Sequence, residues 1–153
     1  MTPHIRLARP GDLANVEAVV KAAYGHYVAR LGRAPGPMLA DYRTLIAARR
    51  VHVFLQDAMI AGCVVLIPED DAMLLDNIAV LPSMQGRGIG RALVRFAERT
   101  ASDQGYGRIR LYTNAAMSEN LQLYARLGYR ETHRAEEGGF RRVFMDKQVG
   151  APS

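Results

Sequence analysis

The sequence predicts an α/β domain: a mixed central sheet flanked by helices, in the element order βααβββαβαββ. Three observations carry this. Short apolar runs such as Cys63 to Ile67 and Met73 to Val80 have the length and character of buried strands. Between such runs stand stretches with apolar residues at helical spacing, above all Ile89, Leu93, Phe96, Ala97 and Ala101. The length, 153 residues, suits a single domain with a real core.

The elements follow in order. Ile5 to Ala8 reads as the first strand. Pro10-Gly11-Asp12 breaks it, and Asp12 is placed to cap a helix running through Val16, Val19, Val20 and Ala23. Tyr24 to Pro37, rich in Gly, Pro, Tyr and Arg, reads as a helix end and a loop. Met38 to Arg50 carries the second helix through Leu39, Tyr42 and Ile46. Val51 to Leu55 and Met59 to Ile67 form a hairpin that turns near Gln56-Asp57-Ala58. Glu69-Asp70-Asp71 is a polar turn, and Met73 to Val80 is the next strand, stopped by Pro82. A glycine-rich turn and a helix come next, and Arg108 to Thr113 then alternates as a strand. Ser118 to Leu127 is a helix with Gly128 as its left-handed stop. Arg130 to His133 and Arg141 to Met145 supply the last two strands. Residues 1–148 are expected to form the domain and 149–153 a C-terminal tail.

Composition narrows the class. Hydrophobic residues make up 49% and charged residues 23%, as in an ordinary soluble globular chain. The net charge of +5 comes mostly from arginine and raises the question of nucleic acid. The basic residues are spread along the chain without aromatic–basic alternation, so nucleic acid is not the expected partner. No apolar stretch at the N-terminus resembles a signal peptide, and Cys63 to Ile67 is far too short to span a bilayer. The single cysteine excludes an internal disulfide and fits a reducing cytoplasm, the expected location, with no membrane partner. His26, His52 and His133 show no metal-ligand spacing, so no metal is expected.

The most informative segment is Gln85-Gly86-Arg87-Gly88-Ile89-Gly90, which leads from the Met73–Val80 strand into a helix. Glycines let the backbone bend and approach a ligand closely. The first N–H groups of a helix have no intrahelical partner and favour anions. The turn is therefore a candidate grip for a phosphorylated cofactor. A Walker loop would need Lys and then Ser or Thr at the helix start, where Arg91-Ala92 stands. A dinucleotide fingerprint would need a third glycine where Arg91 stands, after the first strand of a βαβ unit. Arg87, Arg91, Arg95 and Arg99, four apart, line one helix face. Arg95 and Arg99 read as a solvated face, whereas Arg87 and Arg91 lie where a guanidinium can meet phosphate oxygens.

Leu75-Asp76-Asn77-Ile78-Ala79-Val80-Leu81-Pro82 followed by Gln85 to Gly90 resembles the cofactor motif of the GNAT N-acetyltransferase superfamily. A second motif of that family, Tyr-x-x-Leu-Gly-Phe/Tyr, is matched by Tyr124-Ala125-Arg126-Leu127-Gly128-Tyr129. The order of elements agrees from Ile5 to Met145. The resemblance implies a GNAT-like fold and acetyl-CoA as co-substrate. Gln85, Gly86, Arg87, Gly88, Ile89 and Gly90 would cradle its pyrophosphate through backbone N–H groups. Ile78, Ala79 and Val80 would border the pantetheine arm, Ile78 and Val80 pairing with it as an added strand near a bulge. The chain departs from the family pattern before the tyrosine. Met117 stands seven residues before Tyr124 and Asn120 four before, on the Tyr124 face of the helix. Asn120 is a candidate cofactor contact or an exposed asparagine, and the residues leave both open.

The implied chemistry is direct transfer of acetyl to a primary amine of a small molecule or peptide, in a ternary complex. Tyr124 is the candidate general acid for the leaving sulfur; without the motif it would read as a core tyrosine beside Leu121 and Leu127. Asp76 is the candidate base, directly or through water, and otherwise a strand-end aspartate. The Ile78 N–H is a candidate oxyanion donor. Cys63, in an apolar strand without an adjacent base, reads as a small buried hydrophobe. By the resemblance, the acceptor cleft would be walled by Tyr24, Tyr27, Arg30 and Arg33 and by Phe140 to Phe144. The alternative reading is a non-catalytic CoA-binding or regulatory module that touches nucleic acid through the arginine face. A homodimer is left open.

Overall fold

The computed structural model describes residues 4–150; residues 151–153 of the expected tail lie outside it. Its strands are β1 (His4–Leu7), β2 (Val51–Gln56), β3 (Met59–Pro68), β4 (Met73–Val80), β5 (Arg108–Asn114), β6 (Arg130–Glu137) and β7 (Phe140–Gln148). Its helices are α1 (Leu13–Tyr24), α2 (Tyr27–Leu31), α3 (Gly36–Leu39), α4 (Tyr42–Ala47), α5 (Ile89–Asp103) and α6 (Ser118–Arg126). The seven strands form one mixed sheet in the order β1-β2-β3-β4-β5-β7-β6, with β4 parallel to β5 and antiparallel pairs at β1–β2, β2–β3, β5–β7 and β6–β7. The expected α/β class with a mixed sheet flanked by helices is what the chain adopts. The chain divides into two compact units.

The first unit holds the chain up to Leu66 together with Asn77–Arg95. Strand β3 is buried along most of its length, which is why it reads as an apolar run without alternation. The β2–β3 turn places Asp57 and Ala58 at positive φ, 52° and 65°, as a two-residue hairpin requires. A bulge sets Phe54 opposite Gly62 and Leu55 opposite Ile60, so Ala61 is the extra residue. Its carbonyl accepts the Leu81 N–H at 2.9 Å and ties down the end of β4.

Three expectations in this unit are corrected. The helix expected over Met38 to Arg50 is two short helices, α3 and α4. Asp41 starts the second by accepting the Thr44 N–H at 3.2 Å and the Thr44 hydroxyl at 2.8 Å, and a residue at an N-cap lies outside the helix before it. Part of the loop expected over Tyr24 to Pro37 is the helix α2, closed by Gly32 at φ 77°. Asp12 precedes α1 but does not cap it. Its carboxylate instead takes the Arg6 guanidinium at 2.8 and 3.2 Å and the Arg9 N–H at 2.7 Å, and these bonds hold it below the usual carboxylate range.

The second unit holds Ile67–Asp76 and the chain from Phe96 onward. Ile109, Leu111, Thr113, Val143 and Met145 are buried, and alternate residues carry the polar face. The last hairpin is longer than the sequence suggested, because Gly138 and Gly139 at φ 58° and 83° make a tight turn that lets both strands run on. Strand β6 is exposed nearly throughout and rich in charge, which protects a sheet edge from pairing with another chain.

Candidate functional site

The glycine turn behaves as its residues require. Gly86 and Gly88 adopt φ 83° and 80°, the left-handed region that favours glycine. A Cβ built at either would have nothing within 4 Å, so open space faces both. The Ala92 N–H bonds the Gly88 carbonyl at 3.0 Å, so the N–H groups of Ile89, Gly90 and Arg91 precede the α5 ladder and are offered outward. Gln85, Gly86, Arg87 and Gly88 are exposed. Ile89, by contrast, is 3% exposed and anchors the helix. Arg91, Arg95 and Arg99 are all exposed, opposite the buried stripe Ile89, Leu93, Val94, Ala97 and Ala101, as the four-residue spacing predicts. An open backbone cradle with adjacent guanidiniums and no carboxylate between Gln85 and Arg91 fits a pyrophosphate.

Two residues to which the motif gives no role position β4 and the start of α5. Gly62 on β3 would bring a Cβ to 2.9 Å from the Ala79 carbonyl and 3.3 Å from side-chain carbons of Ile89 and Leu93. Only glycine lets the start of α5 and β4 approach β3 so closely. Asn77 is 4% exposed. Its amide donates to the Tyr42 hydroxyl at 3.2 Å, and that hydroxyl donates to the Pro37 carbonyl at 2.5 Å. Its Oδ1 is buried with no hydrogen-bond partner among the described residues. An asparagine inside an apolar strand was the available signal for this bridge.

Tyr24 and Tyr27, expected at the acceptor cleft, are 6% and 5% exposed. The Tyr24 hydroxyl donates to the Ile78 carbonyl at 2.7 Å, so Tyr24 fixes the strand that carries Ile78, Ala79 and Val80. Ala79 is buried, while Ile78 and Val80 are half-buried. The Tyr27 ring packs on Tyr24 at 6.3 Å and carries the Arg30 guanidinium at 5.0 Å. Cys63 is fully buried and its thiol is pushed up to about 12 by that burial, consistent with a core residue.

In the second unit, Tyr124 is set by the stop of its own helix. The Tyr129 N–H returns to the Tyr124 carbonyl at 3.0 Å and the Gly128 N–H to the Ala125 carbonyl at 3.1 Å, with Gly128 at φ 97°. This is the Schellman pattern, and its usual apolar contact is present as Tyr129 edge-on to Tyr124 at 5.7 Å. The Tyr-x-x-Leu-Gly-Tyr spacing is thus a device that locks the Tyr124 ring. Burial drives the Tyr124 phenol well above its usual value, so it keeps its proton at neutral pH. Behind it, the Tyr129 hydroxyl donates to Glu98 at 3.0 Å, and Lys147 donates to Glu98 at 3.2 Å and to the Leu127 carbonyl at 2.9 Å. Asn120 is half-buried, its amide 3.7 Å from the Met117 sulfur.

Asp76 is half-buried at the first β4 position beyond the register that pairs Leu74 with Arg110 and Leu75 with Leu111. Burial, and then the nearby Asp76 charge, raise the Tyr112 phenol above its ordinary value. Among the described residues no group of three or more His, Cys, Asp or Glu is placed to hold a metal ion.

The family model described as the acetyltransferase (GNAT) domain matches residues 47–131, more than half of the chain. The chain belongs to the GNAT acetyltransferase family. A mycothiol acetyltransferase of Jonesia denitrificans is 37% identical over 62 residues, 40% of this chain and 20% of that protein. The chain spans between 20% and 36% of the length of the curated relatives it matches. Among solved structures, the paia N-acetyltransferase of Thermoplasma acidophilum, in complex with coenzyme A, superposes with a TM-score of 0.82 at 18% identity, covering 97% of this chain and 100% of that one. The acetyltransferase yncA of Salmonella typhimurium, described as putative and solved with acetyl-CoA, gives 0.76 at 19% identity over 100% and 97%. At these identities the likeness is one of fold. No helix among the described residues is long and apolar enough to cross a membrane.

Proposed function

We propose that this chain is an acetyl-CoA-dependent N-acetyltransferase acting on a primary amine of a small molecule or peptide, by direct attack and without a covalent enzyme intermediate. The observation that carries the reading is the turn at Gly86 and Gly88, left-handed, open above both glycines and opening directly into α5. Acetyl-CoA would bring the acetyl group as an activated thioester. Gln85 to Gly90 would bind its pyrophosphate through backbone N–H groups, with Arg87 and Arg91 beside the phosphates. Ile78 and Val80 would pair with the pantetheine amides, and Asn120 would add a polar contact. The Ile78 N–H is the oxyanion donor in this scheme, and the Tyr24 bond to the Ile78 carbonyl holds the adjoining Ile78–Ala79 peptide. Tyr124, protonated at neutral pH, supplies the proton for the leaving sulfur. Asp76 takes the proton of the acceptor. The scheme uses no metal, and a reducing cytoplasm is its setting.

The test is release of free thiol from acetyl-CoA in the presence of a panel of amines. Amine-dependent release is the expected result. Binding of CoA without release by any amine would contradict the enzyme reading and favour a CoA-binding regulatory module.

A further inference from the structure

We propose that His133 is a substrate-binding residue of this enzyme: its Nε2 accepts a hydrogen bond from a hydroxyl or N–H carried on a planar ring of the acceptor amine. The inference rests on the acetyltransferase reading above and deepens it by naming the acceptor as a compact, ring-bearing primary amine. Strands β6 and β7 pair Glu131 with Met145 and His133 with Phe144, so Thr132 is the extra residue of a bulge. A bulge re-aims the side chains around it, and this one fixes a histidine. The Thr132 hydroxyl donates to the Phe144 carbonyl at 3.2 Å. A hydroxyl has one hydrogen, so in the 3.0 Å contact between Thr132 Oγ1 and His133 Nδ1 the donor is Nδ1–H. The ring is therefore the Nδ1–H tautomer, and Nε2 keeps its lone pair. Stacking on Phe144 at 4.3 Å, with 9° between the planes, holds the ring in that orientation. Nε2 takes no hydrogen bond from any described residue.

His133 lines a cavity of about 420 Å³ together with Leu74, Tyr112, Thr132, Arg142 and Phe144. That volume is at the small end of ligand sites, so the occupant is compact. Its rings stand in one row across three strands. Tyr112 is opposite Phe144 in the β5–β7 register, Phe144 is opposite His133 in the β6–β7 register, and the Tyr112 and Phe144 rings are 5.6 Å apart. Ring edges and faces of this kind favour another ring. The cations of the lining are already matched: Arg108 by Asp71 and Asp146, Arg110 by Glu69, and Arg142 by Glu137. A ligand recognised by charge would have to break one of these pairs, whereas a neutral O–H or N–H meets Nε2 without breaking any. The Asp76 charge reaches Tyr112 on the cavity wall, so the cavity lies close to the residue proposed to take the acceptor's proton. Arg142 and Phe144 also belong to the stretch expected to wall the acceptor cleft.

The experiment compares two probes, tyramine and phenethylamine, which differ by one ring hydroxyl, at about pH 8.5, above the ordinary histidine range. With acetyl-CoA saturating, the parent is expected to prefer tyramine by about tenfold in kcat/KM, the worth of one hydrogen bond. The preference should lie in KM, with kcat alike for the two amines, because the bond is made equally in ground and transition states. His133→Phe keeps a ring on Phe144 in an exposed edge strand, so the fold is retained. It should raise the tyramine KM about tenfold and leave phenethylamine and acetyl-CoA unchanged. His133→Gln, whose side-chain oxygen can reach the position of Nε2, should regain part of the preference. A histidine with a structural role only would make both amines fall alike. Nitrogen–proton spectra of the imidazole rings, with the His133 signals identified by their loss in His133→Phe, should show the proton on Nδ1 and a bare Nε2. A proton on Nε2, equal use of the two amines by the parent, or a tyramine preference that survives in folded His133→Phe overturns this proposal alone. So does transfer to other amines but to neither probe. No transfer by the parent to any amine overturns the acetyltransferase reading and this proposal with it.

Discussion

The hydroxyl of Tyr24, at the end of α1, donates a 2.7 Å hydrogen bond to the carbonyl of Ile78 on β4. A carbonyl fixed in this way fixes the plane of its own peptide, Ile78–Ala79. Helix α1 thereby sets the strand segment that is proposed to meet the acetyl group. Tyr24→Phe removes the bond and keeps the packing. The loss of one such bond is worth about 1 kcal/mol, or a fall in Tm of about 2–4 °C for a chain of this size. The turnover number is expected to fall by more than that stability change explains, because a loss of about 1 kcal/mol leaves a domain of ordinary stability almost wholly folded. A scanning melt and an initial-rate assay on the same preparation check both parts.

Gly62 carries a second prediction. A methyl group there meets the Ala79 carbonyl at 2.9 Å, and backbone cannot move aside as a side chain does. Gly62→Ala is expected to destabilise the fold by about 1–3 kcal/mol, the usual range for an overpacked core. Urea unfolding with an unchanged m-value gives the measure. A stability equal to the parent's would show that β3 and β4 have slack the structure does not display.

The two predictions also mark what the sequence made legible. Strand and helix order followed from periodicity, because the buried stripe of α5 and the apolar run of β3 are local patterns. The turn at Gly86 and Gly88 was legible because glycine at positive φ leaves a trace in composition. The break between α3 and α4 was not, since Asp41 reads as one more polar residue until its bonds to Thr44 are seen. Gly62, the Asn77–Tyr42 bridge and the Tyr24–Ile78 bond join residues far apart in sequence, and no periodicity encodes such pairs.

Tyr124 gives a prediction in pH. Burial raises its phenol far above the ordinary tyrosine value of about 10. A general acid works while it holds its proton, so Tyr124 should introduce no alkaline loss of kcat below about pH 10. Tyr124→Phe is expected to lower kcat by about a hundredfold with acetyl-CoA affinity little changed. With chemistry rate-limiting, a Tyr124→Phe protein as fast as the parent would make the tyrosine a packing residue only.

The central claim is that the turn at Gly86 and Gly88 binds the phosphates of a CoA ester, and ligand-induced thermal stabilisation tests it most directly. A ligand that binds only the folded state stabilises it by about 2.7 kcal/mol at a hundred times its Kd. Acetyl-CoA is expected to raise the Tm of the parent, while NAD and ATP at the same concentration do not. Gly88→Glu places a carboxylate in open space at the turn and strains one residue at φ 80° by about 1–2 kcal/mol, so the variant should fold with a lowered Tm and lose the acetyl-CoA shift. Stabilisation by NAD or ATP but by no CoA ester, or a full acetyl-CoA shift in folded Gly88→Glu, would contradict the account.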